Sequence, residues 1–146
     1  MENCPKEPLK KTEAKGLNPV VLAFVGDAVY SLYVRTRLVK SGEGKASEFQ
    51  RAASKVVSAK GQSEFLNTLL PLLTEEEAEI FRRGRNAKKA TKSKSASAAE
   101  YNRSTGFEAV LGFLYLTGEE ARIETLLSAA DDSLFHAEKA AKVYRP

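Results

Sequence analysis

The chain holds one cysteine, Cys4, and one histidine, His136, among its 146 residues. A single cysteine excludes an internal disulfide and any zinc site built from several thiolates. A single histidine argues against a His-based catalytic triad and against a His-rich metal centre. Cys4 and His136 themselves read as incidental surface residues. Long apolar runs are also missing. The longest is Val20 to Val25, and the wider stretch Val20 to Val34 contains Asp27 and falls short of the ~18–20 residues that a membrane span requires. The N-terminus has no apolar core of the kind a secretory signal carries, so the expected location is the cytoplasm, away from membranes. Sustained period-two alternation, the signature of a half-buried strand, is absent as well.

What is present fits an ordinary globular domain: 42% hydrophobic and 29% charged residues, in a length that suits one core. The net charge of +4 is unevenly placed. Eight of the 23 basic residues and one of the 19 acidic ones fall between Arg82 and Arg103, so that stretch carries +7 and the remainder −3. Local concentration of cations suits a polyanion, because phosphate binding depends on several charges neutralised together. A solvated basic loop kept for solubility is the alternative.

The elements read as helices. Asn18-Pro19 supplies an N-cap and a first-turn proline, and the helix it opens runs to about Lys40, before Ser41-Gly42. Three S/T-x-x-E/Q capping boxes follow: Ser47 with Gln50, Thr74 with Glu77, and Ser97 with Glu100. They open helices over about 48–57, 74–84 and 98–116; a further helix is expected over about 60–70, and a last one over about 119–135 from apolar residues at helical spacing. Pro71 ends the helix over 60–70 and Thr117-Gly118 the one over 98–116. The fold class is therefore all-α, a helical bundle. Residues 1–16 read as a disordered tail, 17–136 as one domain and 137–146 as a C-terminal tail. Within the domain, 82–103 contains a basic loop, Gly84 to Ala96, rich in Lys, Ser and Ala.

Two carboxylates stand in apolar helices. Asp27 follows Val20-Val21-Leu22-Ala23-Phe24-Val25-Gly26, and Glu108 sits inside Phe107-Glu108-Ala109-Val110-Leu111-Gly112. An unpaired buried carboxylate is costly. Either Gly26 ends one helix and Asp27 caps the next, or both acids serve a site. Residues three or four apart share a helix face. Ala23, Asp27 and Ser31 thus form one small-residue stripe; Tyr101, Ser104, Thr105, Glu108 and Gly112 form another. Two such stripes facing each other would bring the acids together around a divalent cation, Mg²⁺ or Mn²⁺, completed by water. Pairing of an acid with Lys60 or an arginine is the competing arrangement.

These segments resemble the ribonuclease III family. The Gly-Asp step at Phe24-Val25-Gly26-Asp27-Ala28-Val29 and the acidic helix at Phe107–Gly112 match its two defining segments. Within the family the likeness is to the Mini-ribonuclease III group, through Val56-Val57-Ser58-Ala59-Lys60, Arg82-Arg83-Gly84-Arg85-Asn86-Ala87-Lys88 and Tyr101, Ser104 and Thr105. It covers about residues 17–130. The resemblance implies a homodimeric all-α endonuclease domain that hydrolyses double-stranded RNA with a divalent metal. Asp27 and Glu108 are then the catalytic and metal-binding residues, and two further family carboxylates fall at Ala23 and Thr105. The metal is then left with fewer protein ligands, replaced by water, an RNA phosphate oxygen or a neutral oxygen such as that of Thr105, which with Ser104 is a supporting residue. Without the appended RNA-binding domain of longer relatives, grip on RNA is expected from Lys60, Arg83, Arg85, Asn86, Lys88 and Lys89. The Mini group implies precursors of large-subunit ribosomal RNA, on ribosomal particles, as substrate. The missing carboxylates keep a non-catalytic RNA-binding scaffold on the same fold as the alternative; a helical DNA- or protein-binding module would instead call for a basic recognition helix.

Overall fold

A computed structural model describes residues 7–89 and 97–129. Its helices are α1 (Lys11–Lys15), α2 (Pro19–Ser41), α3 (Ala46–Val57), α4 (Ala59–Leu69), α5 (Glu75–Asn86) and α6 (Ala98–Leu116), with a 3-10 turn at Leu70–Leu72. Residues 120–129 are also helical, and no strand occurs among the described residues. The 137–146 tail, and the end of the helix expected to reach 135, lie outside the described residues.

The central pair is α2 and α6, with α5 laid along α6 and with α3 and α4 closing the other side. Helix α2 starts as its sequence dictates: the Asn18 side chain accepts from the Val20 N–H, with Pro19 in the first turn. Leu22, Gly26, Tyr30, Val34 and Leu38 are buried at helical spacing. The helix is continuous through Gly26-Asp27, so neither a stop nor a cap interrupts it there.

Two of the three expected capping boxes form. Thr74 and Glu77 exchange side-chain to backbone bonds at the head of α5, and Ser97 and Glu100 do so at the head of α6. The third does not. Helix α3 begins earlier, with the Lys45 N–H donating to Glu48 Oε1, and this leaves Ser47 inside the first turn and Gln50 accepting from Arg35 instead. A Glu three residues after the cap serves that terminus with a charge as well as an acceptor.

The tail expected over 1–16 needs correction for its described part. Ala14 on α1 is fully buried, the Leu9 N–H donates to the Leu116 carbonyl at 2.7 Å, and Lys11 and Lys15 both pair with Glu76. A short polar sequence is held here by one alanine and by charge, which composition alone does not reveal.

Beneath the α2–α6 crossing, Tyr30, Phe65 and Phe107 form an aromatic cluster with ring centroids 5.2 to 5.9 Å apart. The last helical stretch buries Ile123, Leu126 and Leu127. Its Arg122 reaches across to Glu77 and to the Leu72 carbonyl, each at 2.8 Å.

Candidate active site at the α2–α6 crossing

Helices α2 and α6 meet backbone to backbone. A Cβ on Gly26 would fall 1.7 Å from the Glu108 carbonyl oxygen, and one on Gly112 1.8 Å from that of Leu22. No side chain fits at either position, so these two glycines set the closest approach of the helices. The contact runs through Leu22 and Gly26, one step round α2 from the small-residue stripe expected at Ala23, Asp27 and Ser31.

That approach places the two acids together. Asp27 is exposed and Glu108 half-buried. The Glu108 carboxyl is pushed up to about 8, first by burial and then by the charge of Asp27 and a hydrogen bond with it, while a bond from Gln62 works the other way. Among the described residues no Lys or Arg neutralises Glu108, so the competing pairing with Lys60 or an arginine is not adopted. Burial first, and then the Glu108 charge, also raises the Tyr30 phenol above its ordinary range.

Gln62 was not among the expected site residues. It is 1% exposed, and its Nε2 donates to Glu108 Oε2 at 3.0 Å and to the Val57 carbonyl at 2.9 Å. Its position in register with Phe65, Leu66 and Leu69 on the buried face of α4 was the available signal, since a polar group there needs a partner. Ser104 and Thr105 are buried, and both hydroxyls donate back to the Tyr101 carbonyl rather than to either acid. Each hydroxyl thereby spends its donor and keeps its lone pairs, so these bonds are compatible with the supporting role expected of Thr105 and Ser104. Ala23 is 6% exposed.

Whether these residues suit a metal can be tested on the charges alone. Burial is the first cause of the raised Glu108 carboxyl and the Asp27 charge adds to it; a cation between the two acids would offset both and displace the proton. The donors are all oxygen, which matches a hard ion. Among the described residues no group of three or more His, Cys, Asp or Glu is arranged to hold a metal ion. Two carboxylates therefore fit an ion that keeps much of its water, as Mg²⁺ does.

Residues 20–119 match the Ribonuclease III domain. The chain belongs to the ribonuclease III family. It is 47% identical to a Mini-ribonuclease 3 of Brevibacillus brevis over 113 residues, 77% of this chain and 84% of that one. It is also 47% identical to a Mini-ribonuclease 3 of Symbiobacterium thermophilum over 116 residues, 80% and 89% of the two chains. A crystal structure of a Fusobacterium nucleatum protein superposes with a TM-score of 0.71 at 27% identity, covering 81% of this chain and 94% of that one.

In this ribonuclease III-family chain the basic residues separate into two groups. Arg83 donates to the carbonyls of Lys15 and Leu17, tying α5 to the α1–α2 junction. Lys89 Nζ donates to the carbonyls of Gly84, Arg85 and Ala87 and closes the C-terminus of α5. Both were expected on RNA; in the structure each also donates to the protein backbone. Arg103 is held by Ser63 and Asn67, and Arg82 by Glu79. Lys60, Arg85, Asn86 and Lys88 are exposed, Arg85 with its Nε on the neighbouring Asn86 side chain. Arg82, Arg83 and Arg85 lie on α5 and Arg103 on α6, so half of the basic stretch is helical. Lys92 and Lys94 lie outside the described residues.

Proposed function

We propose that this endoribonuclease of double-stranded RNA works by metal-assisted hydrolysis at the α2–α6 crossing, with Asp27 and Glu108 holding Mg²⁺ or Mn²⁺. The observation that carries the reading is the pair itself: two acids brought together by Gly26 and Gly112, with the Glu108 carboxyl pushed up to about 8 and no protein cation in between. The ion would supply positive charge at the scissile phosphate and make water a nucleophile near neutral pH. Asp27 and Glu108 fix where that charge stands. Gln62 holds the Glu108 carboxylate, and Tyr30 with Phe107 walls the site from below.

Grip on the duplex falls to Lys60, Arg85, Asn86 and Lys88. A-form RNA offers phosphates and 2′-hydroxyls across a shallow minor groove, which suits dispersed cations better than a base-reading helix. Duplex scission needs two sites, and a second copy of the chain supplies the other. The surface offered for it is the outer face of α2, where Val21, Phe24, Leu32 and Val39 are exposed and Phe24 is 80% so. The likeness to Mini-ribonuclease III supports precursors of large-subunit ribosomal RNA, on cytoplasmic ribosomal particles, as the natural substrate. Among the described residues no helix is long and apolar enough to cross a membrane.

The experiment is cleavage of a duplex RNA by the wild type and Asp27→Asn, with Mg²⁺ and with EDTA. Expected are cleavage by the wild type in Mg²⁺ only and loss of it in the variant. Equal cleavage by both proteins, or cleavage in EDTA, overturns the metal assignment.

A further inference from the structure

The corner between α3 and α4 is built around one glycine and one glutamine. At Gly61 a Cβ would fall 2.2 Å from the Lys55 carbonyl and 2.9 Å from that of Val56, so only glycine lets α4 begin this close to the end of α3. Ser58 caps α4 through the Gly61 N–H at 3.0 Å. The next residue, Gln62, is thereby delivered both to the Val57 carbonyl and, 46 positions along the chain, to the Glu108 carboxylate.

The orientation of the Gln62 amide is fixed by its company. Val57 offers a carbonyl and Glu108 a carboxylate, both acceptors, and only the NH₂ end can face the two together. The price of this arrangement is visible at the other end of the amide. Gln62 Oε1 is buried and has no hydrogen-bond partner, and it is the only such side-chain atom among the described residues. Leaving a buried acceptor unmade costs ~1–3 kcal/mol. A residue kept only for packing would serve better as Leu or Met, because it lies in register with Phe65, Leu66 and Leu69.

We propose that Gln62 is a positioning residue for RNA cleavage: anchored on the Val57 carbonyl, it locks the rotation of the Glu108 carboxylate so that its remaining lone pairs face Asp27 and the cation between them. This rests on the metal reading above. Glu108 stands on α6 and Asp27 on α2, and α4 supplies the third support through Gln62. The Val56-Val57-Ser58-Ala59-Lys60 segment then acts on the site through the corner it forms as well as through Lys60.

The test uses the full-length chain with Gln62→Met, which keeps the volume, and Gln62→Glu, which keeps the shape but loses the donors when ionised. Direct Mn²⁺ binding followed by electron paramagnetic resonance, kcat and KM on duplex RNA, and metal-free Tm are measured together, with Asp27→Asn alongside. Groups that orient a metal ligand carry ~10–100-fold in metal affinity or activity. Expected for Gln62→Met is Mn²⁺ affinity weaker by about tenfold or more, a comparable fall in kcat with RNA KM unchanged within about twofold, partial recovery of kcat at raised Mg²⁺, and a Tm within a few degrees of wild type. Gln62→Glu should lose kcat as well, which separates the lost donors from the changed shape of the methionine side chain. Wild-type Mn²⁺ affinity and kcat in either variant overturn the proposal. So does a fall in kcat that appears only together with unfolding in both. If the wild type itself binds no Mn²⁺, or Asp27→Asn binds it equally well, the metal reading fails and the kcat-against-KM split alone decides for or against Gln62.

Discussion

Glu77 and Glu108 are the same residue type, both withdrawn from water on neighbouring helices, and they meet opposite company. Glu77, 3% exposed, receives two bonds from Arg122 at 2.8 Å and one from the Thr74 N–H at 2.9 Å. Burial alone would raise its carboxyl, but Arg122 and Thr74 outweigh that and hold it below the usual range. Glu108 faces another acid, and burial together with Asp27 pushes it up to about 8. A carboxylate that the protein has neutralised is part of the scaffold, holding the 120–129 helix to α5. One left without a protein cation instead keeps its proton to about pH 8, the kind of perturbed carboxyl that functional sites carry, and on the proposal above a metal ion takes that proton's place. Substitutions at the two should therefore fail in different ways.

The largest difference is expected in catalysis. Asp27→Asn and Glu108→Gln should each lower kcat by ~10³-fold or more, since transition-state charge stabilisation by a metal is worth several kcal/mol. Arg122→Met should leave kcat on duplex RNA near wild type at a temperature where the variant is folded. It should instead destabilise the chain by about 3 kcal/mol, the scale for breaking a buried ion pair from one side. Cleavage kinetics and urea unfolding on the same proteins measure both quantities. A large kcat loss in Arg122→Met at intact stability would erase the distinction between scaffold and site.

The pH dependence gives the two glutamates opposite signs. The folded Glu108 holds its proton to about pH 8 against an ordinary value of 4.5, so between those limits the folded state binds more protons than the unfolded. Metal-free stability should then fall as pH rises from 4.5 towards 8, by about 2–3 kcal/mol once partial exposure is allowed for. Mg²⁺ should restore it at the alkaline end, and Glu108→Gln should flatten the curve. Glu77, held below 4.5, contributes stability above that value and loses it as pH falls through its folded pKa. Tm from pH 3 to 9, with and without Mg²⁺, reads both limbs. A metal-free curve rising from pH 5 to 8 would contradict the raised Glu108 carboxyl.

What the sequence disclosed follows the range of the interactions. Caps at Asn18, Thr74 and Ser97 are local, spanning two or three residues, and they predict α2, α5 and α6 closely. The meeting of Asp27 with Glu108 was also legible, because two apolar helices each carried one acid among small residues. Less legible was which small residues touch. That depends on how α2 is rotated against α6, and the answer was Gly26 and Gly112. Partners far apart in sequence were hidden altogether: Gln62 with Glu108, Arg122 with Glu77, and Arg83 with the carbonyls of Lys15 and Leu17. Each is a polar side chain whose bonding is settled only by tertiary contact. Composition counted Arg83 and Lys89 as charges for RNA, and the fold also uses their hydrogen bonds for itself.

The smallest expected effect tests that last sorting. Lys88 is exposed, while the adjacent Lys89 lies 2.7 to 3.1 Å from three carbonyls at the end of α5, where burial pulls its ammonium pKa down. Each phosphate neutralised contributes ~0.7–0.9 to the slope of log K against log salt, a scale taken from DNA. Lys88→Ala and Arg85→Ala should each flatten the slope for duplex RNA binding by roughly that amount. Lys89→Ala should leave the slope unchanged and instead lower stability by about 0.5–1 kcal/mol, the worth of a cation at a helix C-terminus. If Lys89→Ala flattened the slope as much as Lys88→Ala, its bonds to Gly84, Arg85 and Ala87 would be given up on binding, and the basic stretch would act as one undivided patch.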